Sequence, residues 1–343
     1  MPLWLQALLA ILPIFVAAVL LVGFRLPARL AMPVVYVLAV LIGGFAWMMP
    51  PTQIVAASIQ GLFIAGEIIF IIFAAILLLN ILKRSGAIAA IRAGFTSITP
   101  DRRIQVVIVI WLFGSFIEGA SGFGTPAAIT APLLVALGFP AVTAVMLGMM
   151  VQSTPVTFGA VGTPVLVGVR GGLESVEVNA QLASAGIEFS EYLQIITSHA
   201  VLLHAIVGTV MPLLMIMMMT RFFGENRSWT EGLSVWPFAL FGGVAFTVPY
   251  YITGVFLGPA FPSLLGGLIG LGVVTMAARK GFLMPKDQWD FPDRKTWPTD
   301  WVGKLEMRLE VPDKMMSPVR AWMPYLLVAV LLVLTRLPQL PFG

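Results

Sequence analysis

Uncharged apolar segments long enough to form membrane-spanning helices recur along the 343-residue chain. A helix needs about 20 apolar residues to cross a bilayer core. Candidate spans lie at 3–24, 33–49, 54–82, 192–220, 233–251, 258–278 and 321–335. Ten-residue alternating strands are absent from the sequence, so the pattern predicts helices and not barrel strands. The first span lacks the basic region and cleavage site of a signal peptide, so we expect it to stay in the protein.

The pattern changes between residues 104 and 169. The apolar stretches 104–117 and 126–137 have 14 and 12 residues, too few for either to span. Together they predict one re-entrant helical hairpin. The stretch 141–169 is long enough to cross but contains Pro155, Gly159, Gly162 and Pro164, which predict a broken helix. The predicted fold class is an all-α polytopic membrane protein with about eight transmembrane helices, as in half of an inverted-repeat transporter.

Composition supports a membrane protein and excludes several other classes. The chain is 59% hydrophobic and 10% charged, whereas soluble domains are about 25% charged. A soluble enzyme and a nucleic-acid-binding protein are therefore disfavoured. Without cysteine the chain has no disulfide, thiolate metal site or cysteine nucleophile. We predict no cofactor, no metal and no nucleic-acid partner.

The placement of the charges predicts the orientation. Eighteen of the 20 Lys and Arg residues lie in four polar segments, while segment 170–191 carries four Glu residues. The positive-inside rule then places the basic loops in the cytoplasm and the N-terminus outside, in the plasma (inner) membrane. Loop 279–320 has nine basic and seven acidic residues, a mixture that predicts a solvated connection.

These patterns divide the chain into five predicted segments. N-terminal transmembrane helices occupy 1–103, and the hairpin with the broken helix, the expected substrate-site region, occupies 104–169. Further transmembrane helices occupy 170–278, the cytoplasmic loop 279–320 and the last helix 321–343.

Two acidic residues, Glu67 and Glu118, lie deep in apolar segments. A carboxylate at membrane depth is costly and by default faces a protein interior or a watery cavity. Glu67 would either take part in proton movement or be neutral and bonded to a neighbouring helix. Glu118 directly precedes a glycine-rich turn and is the stronger candidate. Both are candidate proton-coupling residues.

A repeated triplet marks the expected hairpin turn. Gly124-Thr125-Pro126 recurs 38 residues later as Gly162-Thr163-Pro164. Glycine permits positive φ and close approach of a ligand, while Thr and Pro predict an N-cap and the first residue of a helix. Two helix N-termini would then offer N–H groups to an anion. The alternative is that these glycines only allow tight helix packing. The candidate substrate-binding residues are Gly119, Ser121, Gly122, Gly124, Thr125, Thr157, Gly159, Gly162 and Thr163.

Other kinds of site are poorly supported by the residue spacing. The glycine spacing after Glu118 is not a dinucleotide fingerprint, and no P-loop lysine follows. A membrane-embedded enzyme would need Glu118 or Glu67 with His199 or His204. These histidines are five residues apart, so they do not share one face of a helix. No residues near them have the spacing of a metal site or of a nucleophile with its base. We expect helix-packing or interfacial roles for both histidines and no catalytic residue.

At these residues the sequence resembles the lactate permease family of bacterial membrane transporters. The most specific block is Glu118-Gly119-Ala120-Ser121-Gly122-Phe123-Gly124-Thr125-Pro126, with Phe116-Ile117 before it. The other matching blocks are Ser97-Ile98-Thr99-Pro100-Asp101-Arg102-Arg103 and Thr154-Pro155-Val156-Thr157-Phe158-Gly159-Ala160-Val161-Gly162-Thr163-Pro164. The resemblance implies uptake of L-lactate, with D-lactate and glycolate as related substrates, coupled to protons.

The chain departs from this family in two respects. Gln152 stands where an Asn is usual, and the family's chains are much longer. An inverted-repeat transporter would need a second hairpin and broken helix to close the site. We therefore expect the N-terminal part of a permease, with a complementary C-terminal half or an oligomer as partner.

The resulting hypothesis is proton-coupled import of lactate and related 2-hydroxycarboxylates. The substrate carboxylate would meet amide groups around 124–125 and 162–163, and the hydroxyls of Ser121, Thr125, Thr157 and Thr163 would bond its 2-hydroxyl. Burial favours a neutral Glu118 beside an anion, so proton and anion would load together. Three alternatives stay open: another small organic anion or sodium coupling, a transport-incompetent fragment, and a membrane-embedded enzyme.

Overall fold

Helices make up the regular structure of the residues that the computed structural model describes, which are 1–96, 98–302 and 316–336. Eight helical segments of this part of the chain are long and apolar enough to cross a membrane, and one of them, Pro155–Leu173, contains a break; this confirms the predicted fold class. The relation to half of an inverted repeat stays a prediction. Ser97 of the matching block 97–103, residues 303–315 of the predicted loop and residues 337–343 lie outside the described residues.

The longest described connection between helices is residues 280–298, and most of the others are short. In order the helices are α1 (Leu3–Gly23), α2 (Ala28–Ala46), α3 (Pro51–Arg84), α4 (Ala87–Thr96), α5 (Arg102–Ser121), α6 (Thr125–Ala136), α7 (Ala141–Met150), α8 (164–173), α9 (Val176–Ser184), α10 (Phe189–Phe223), α11 (Trp229–Leu233), α12 (Trp236–Leu257), α13 (Pro262–Arg279), α14 (Thr299–Val302) and α15 (Pro318–Arg336). Two 3₁₀ turns, Val151–Ser153 and Pro155–Phe158, lie between α7 and α8.

The chain divides into two compact units, Met1–Ile71 and Ile72–Gly343. In the first unit α1 packs against α2, and the hydroxyls of Tyr36 and Ser58, 2.7 Å apart, join α2 to α3. The α-helical part of α1, Leu3–Ala18, has no buried residue. An apolar surface of this kind suits a lipid environment and would be a liability in water.

The core of the second unit is built around α5. In its most apolar stretch of 18 consecutive residues, 94% of the residues are buried, and its middle, Val106–Gly114, is wound as a π-helix. A Cβ atom built on Gly267 of α13 would lie 2.6 Å from the Cα atom of Phe116 on α5. The two helices therefore touch backbone to backbone, as small residues permit in membrane proteins.

Helices α5 and α6 pack together as a helical hairpin with its turn at residues 122–124, and its re-entry into the membrane stays a prediction. The first arm is longer than predicted: it has 20 residues and runs through Glu118 to Ser121, whereas the apolar stretch of 14 residues ended at Ile117. By length and composition α5 can cross a membrane, so the expectation that it is too short is wrong. A buried carboxyl group does not end a helix, and the Ser121 hydroxyl donates to the Ile117 carbonyl at 2.9 Å within the last turn.

The open end of the hairpin is closed by Arg102, the first residue of α5. Its guanidinium donates to the carbonyl of Leu137 just after α6 and lies 5.5 Å from the ring centre of Phe139. It also pairs with Asp290 at 2.9 Å. One side chain thus ties both ends of the hairpin to the segment after α13.

Arg103, counted among the loop cations in the sequence, is 1% exposed. It pairs with Asp101 at 2.7 Å and with Asp287 at 3.0 Å. The Trp289 backbone N–H donates to the same Asp101 carboxylate at 3.2 Å, and Trp289 is buried. The part of the predicted loop 279–320 around Asp287 and Trp289 therefore packs against a buried ion pair. The mixture of acidic and basic residues in the loop did not indicate this packing.

The segment 141–169 is broken where predicted, and the later spans keep their predicted order. Helix α7 ends at Met150, and a further helix resumes at Pro164. Helix α12 continues to Leu257, beyond the predicted end at 251, and α13 begins at Pro262 and not at 258. The reason is Gly258, whose φ of +92° makes the turn between them.

Replacing Gly267 tests the contact between α5 and α13. Gly267→Ala should lower the free energy of unfolding by about 1–3 kcal/mol, because the new methyl group overpacks a backbone contact. Gly272 on the same helix has open space at its Cβ position, so Gly272→Ala should be neutral or stabilising through helix propensity. Thermal unfolding of the purified chain in detergent, followed by circular dichroism, measures both. Equal effects of the two variants would contradict the backbone contact between α5 and α13.

Candidate functional site

A run of positive φ angles precedes the threonine of each Gly-Thr-Pro triplet. Three consecutive residues with positive φ precede each threonine: 59°, 52° and 77° at 122–124, and 43°, 59° and 76° at 160–162. Positive φ is unfavourable for Phe123 and Ala160 and more so for the β-branched Val161. Such strain persists only where the surrounding structure holds it, so packing maintains both turns.

The hydroxyl of each threonine forms a hydrogen bond within its own turn. Thr125 donates to the carbonyl of Gly122 at 2.8 Å, and Thr163 donates to the carbonyl of Ala160 at 2.6 Å. The prediction that Thr125 caps a helix is wrong in this detail: Gly124 is the N-cap residue, and no side-chain cap bond forms. The Thr125 N–H also donates to Gly122 O, at 3.0 Å. That amide, predicted to meet a substrate, is already used inside the turn.

The hairpin turn and the helix break are in contact. A Cβ atom built on Gly122 would lie 2.6 Å from the Cβ atom of Ala160 and 2.7 Å from its backbone nitrogen. On the other side of the break, a Cβ atom on Gly162 would lie 2.3 Å from the carbonyl oxygen of Pro259. The break is therefore held between the hairpin turn and the connection from α12 to α13, where only glycine fits.

Glu118 lies beside this contact and is 1% exposed. A Cβ atom built on Gly159 would be 2.5 Å from the Oε1 atom of Glu118, so the carboxyl group rests on the backbone of the break. Neither carboxyl oxygen has a hydrogen-bond partner among the described residues. A buried polar group without a partner is costly, and at such a position it marks a candidate for proton or ligand binding.

Two side chains that sequence reasoning missed hold the first half of the break. Tyr250 of α12 donates to the carbonyl of Thr154 at 3.2 Å, and Ser263 of α13 donates to the carbonyl of Pro155 at 2.7 Å. These pairs are 96 and 108 residues apart in the chain. No local pattern could have indicated them, since only the tertiary fold brings them together.

His204 of α10 also contacts the break, although the sequence suggested helix packing or an interfacial role. Its Nε2 atom lies 2.9 Å from the Oγ1 atom of Thr157. The His204 ring meets the buried Phe158 ring edge to face, with centres 6.5 Å apart. Thr157, one of the predicted substrate ligands, is therefore oriented by a histidine 47 residues away.

The remaining predicted residues, and Gln152, differ in their surroundings. Gly119 serves as a packing contact, because a Cβ atom there would lie 2.3 Å from the backbone nitrogen of Leu264. Ser121 is buried, with its hydroxyl 2.9 Å from that of Thr125. Glu67 belongs to the first unit and is exposed on α3, so its role in proton movement stays a prediction. Gln152 is half-buried and donates to the Gly148 carbonyl at 3.4 Å.

Comparison with known proteins relates these residues to one family. The profile described as L-lactate permease matches residues 6–341. The L-lactate permease of Salmonella typhimurium is 31% identical over 98% of this chain and 55% of its own length. Glycolate permease GlcA of Escherichia coli is 32% identical over 96% of this chain and 55% of its own. The L-lactate permease of Bacillus subtilis is 30% identical over 88% of this chain and 49% of its own.

The chain spans about half the length of the curated relatives it matches. No solved structure matches the chain at a significant level.

Gly124 and Gly162 form a matched pair for mutation. Their φ angles are +77° and +76°. Alanine at either residue would therefore be strained by its left-handed backbone to a similar extent, about 1–2 kcal/mol. Gly124 has no atom within 4 Å of its Cβ position, whereas Gly162 meets Pro259. Gly162→Ala should therefore lose about 1–3 kcal/mol more of the free energy of unfolding than Gly124→Ala. Denaturant titration of both variants in detergent measures the difference, and equal losses would contradict the contact with Pro259.

Proposed function

The chain belongs to the L-lactate permease family, and we propose that it carries the substrate site of a secondary active transporter. This transporter imports lactate and related 2-hydroxycarboxylates such as glycolate across the plasma membrane, by symport with protons. The names of the relatives support the substrate class, since both L-lactate and glycolate permeases are among them. Transport and not catalysis is the proposed activity.

The observation that carries the proposal is the carboxyl group of Glu118, which lies at the contact between hairpin and break without a hydrogen-bond partner among the described residues. An ionised carboxylate without partners is very costly in an apolar interior. The position therefore favours a carboxyl group that holds a proton. Protonated, Glu118 has one O–H donor to offer to a ligand.

Substrate binding needs donors, because a carboxylate only accepts hydrogen bonds. The hydroxyls of Ser121, Thr125 and Thr163 have acceptors on the protein's own backbone. In the proposed complex the substrate carboxylate is bound by the protonated Glu118 and by amide groups near Gly124 and 162–163. Ionised, Glu118 would repel the same anion. Proton and substrate therefore bind together and leave together.

The proposed orientation follows from the basic segments, which we place in the cytoplasm with the N-terminus outside. The ion pairs of Arg102 and Arg103 would then lie at the cytoplasmic end of the hairpin. A complementary C-terminal half, or a second copy of the chain, is the proposed partner.

Glu118→Gln tests proton coupling. In proteoliposomes that contain this chain together with its proposed partner half, and with acid outside, the assembled transporter should accumulate labelled L-lactate against its gradient. The variant keeps a neutral donor at residue 118, so it should still exchange lactate for lactate. Accumulation driven by the pH gradient should disappear. Glu67→Gln, measured in parallel, shows whether the second predicted carboxyl group takes part.

Two outcomes would contradict the proposal. Unchanged proton-driven accumulation by Glu118→Gln would remove Glu118 as the coupling residue. Absence of lactate binding to the purified chain, measured at equilibrium and hence without a complete transport cycle, would remove the substrate assignment. Replacing sodium by choline in the uptake medium should change nothing, because the proposed coupling ion is the proton.

A further inference from the structure

The four hydroxyls predicted to bind substrate have their protons directed at acceptors within the protein. Thr163 donates to the carbonyl of Ala160 at 2.6 Å. Ser121 and Thr125 lie 2.9 and 2.8 Å from the carbonyls of Ile117 and Gly122 and 2.9 Å from each other, so each proton has a carbonyl or the other hydroxyl as its acceptor. A hydroxyl has one proton and two lone pairs. Once the proton is engaged, the oxygen can only accept from a ligand.

Thr157 is the exception, because its partner is a side chain. The Nδ1 atom of His204 lies 3.2 Å from the carbonyl oxygen of Ala200, and a carbonyl only accepts, so Nδ1 carries the ring proton. In the neutral ring Nε2 is then a bare lone pair. At 2.9 Å from the Thr157 hydroxyl, that lone pair takes the hydroxyl proton.

The histidine ring is held in this orientation from two sides. Its own helix fixes the Nδ1 side, and the buried ring of Phe158 packs edge to face against it. Phe158 in turn meets Tyr250, with ring centres 5.6 Å apart. No other hydrogen bond involves the Thr157 hydroxyl in the described part of the chain, so its oxygen has lone pairs left for a ligand.

We propose that His204 is a positioning residue which makes Thr157 an acceptor, and that this selects 2-hydroxycarboxylates over 2-oxocarboxylates. A 2-hydroxyl group donates to such an oxygen, whereas a 2-oxo group has no proton to donate. An acid without a 2-substituent leaves the oxygen unpaired. A site built to bond a substrate hydroxyl rejects analogues that lack it, because buried polar groups are then left without partners. This inference rests on the proposed function and adds the basis of its selectivity.

Competition binding tests the proposal on the purified full chain in detergent. Labelled L-lactate is displaced by unlabelled L-lactate, glycolate, pyruvate and propionate, and the ratio of the pyruvate to the lactate Kd is the readout. The unmodified chain should prefer the two hydroxy acids. His204→Leu should lower the ratio by about tenfold, the factor expected for one hydrogen bond. His204→Gln should keep most of the preference, because its amide oxygen can accept the Thr157 proton.

Two further variants separate selectivity from folding. His199 lies on the same helix, is exposed, and bonds the carbonyl of Ile195 in its own helix, so His199→Leu should leave the ratio unchanged. Thr157→Val should lower the ratio as His204→Leu does, and the double variant should lose no more than either alone, since both act on one bond.

The outcomes distinguish the inference from the function on which it rests. A chain that binds lactate, with the same pyruvate ratio in His204→Leu as in the unmodified protein, overturns the role of His204 alone. An additive loss in the double variant overturns it as well. A chain that binds neither lactate nor glycolate overturns the proposed function together with the inference.

Discussion

Two glycine contacts hold the centre of the second unit together. Gly122 packs against Ala160 and Gly159 packs against the carboxyl group of Glu118, and neither glycine has room for a Cβ atom. They place the hairpin turn directly on the break between α7 and α8. Both turns contain non-glycine residues at positive φ, a conformation that isolated chains avoid. Each turn therefore needs the other as support, and a side chain at either glycine would separate them.

The same constraint explains why the hairpin is fixed so firmly at its other end. The turn can meet the break only if both arms keep their depth and register. Arg102 sets the register by bonding the carbonyl of Leu137 after α6. The buried Asp101–Arg103 pair, with Asp287 as a second anion, attaches this end to the segment after α13. A buried ion pair contributes little net stability but strongly disfavours arrangements that separate its charges.

Features that depend on local backbone chemistry could be predicted from the sequence. Proline and glycine act where they stand, so the hairpin turn, the helix break and the burial of Glu118 were readable from the residues around them. Features that depend on distant partners could not. The sequence around Arg103 indicated only a loop cation, since its partner Asp287 is 184 residues away in the chain. The sequence around His204 indicated only a packing residue, since its partner Thr157 is 47 residues away. The prediction that Thr125 caps a helix was also wrong. The residues before it have positive φ, and the Thr125 hydroxyl bonds the carbonyl of Gly122 within the turn.

The direction of the hydroxyl protons connects coupling with selectivity. If the hydroxyls of Ser121, Thr125, Thr157 and Thr163 can only accept, then a bound carboxylate needs other donors, and backbone amides and titratable groups are among them. Glu118 is such a group, but only while it carries a proton. The proton on Glu118 would thus serve the carboxylate end of the substrate, and the acceptor at Thr157 would serve its 2-hydroxyl end. A 2-hydroxycarboxylate satisfies both requirements at once, since its two functional groups have opposite hydrogen-bonding character.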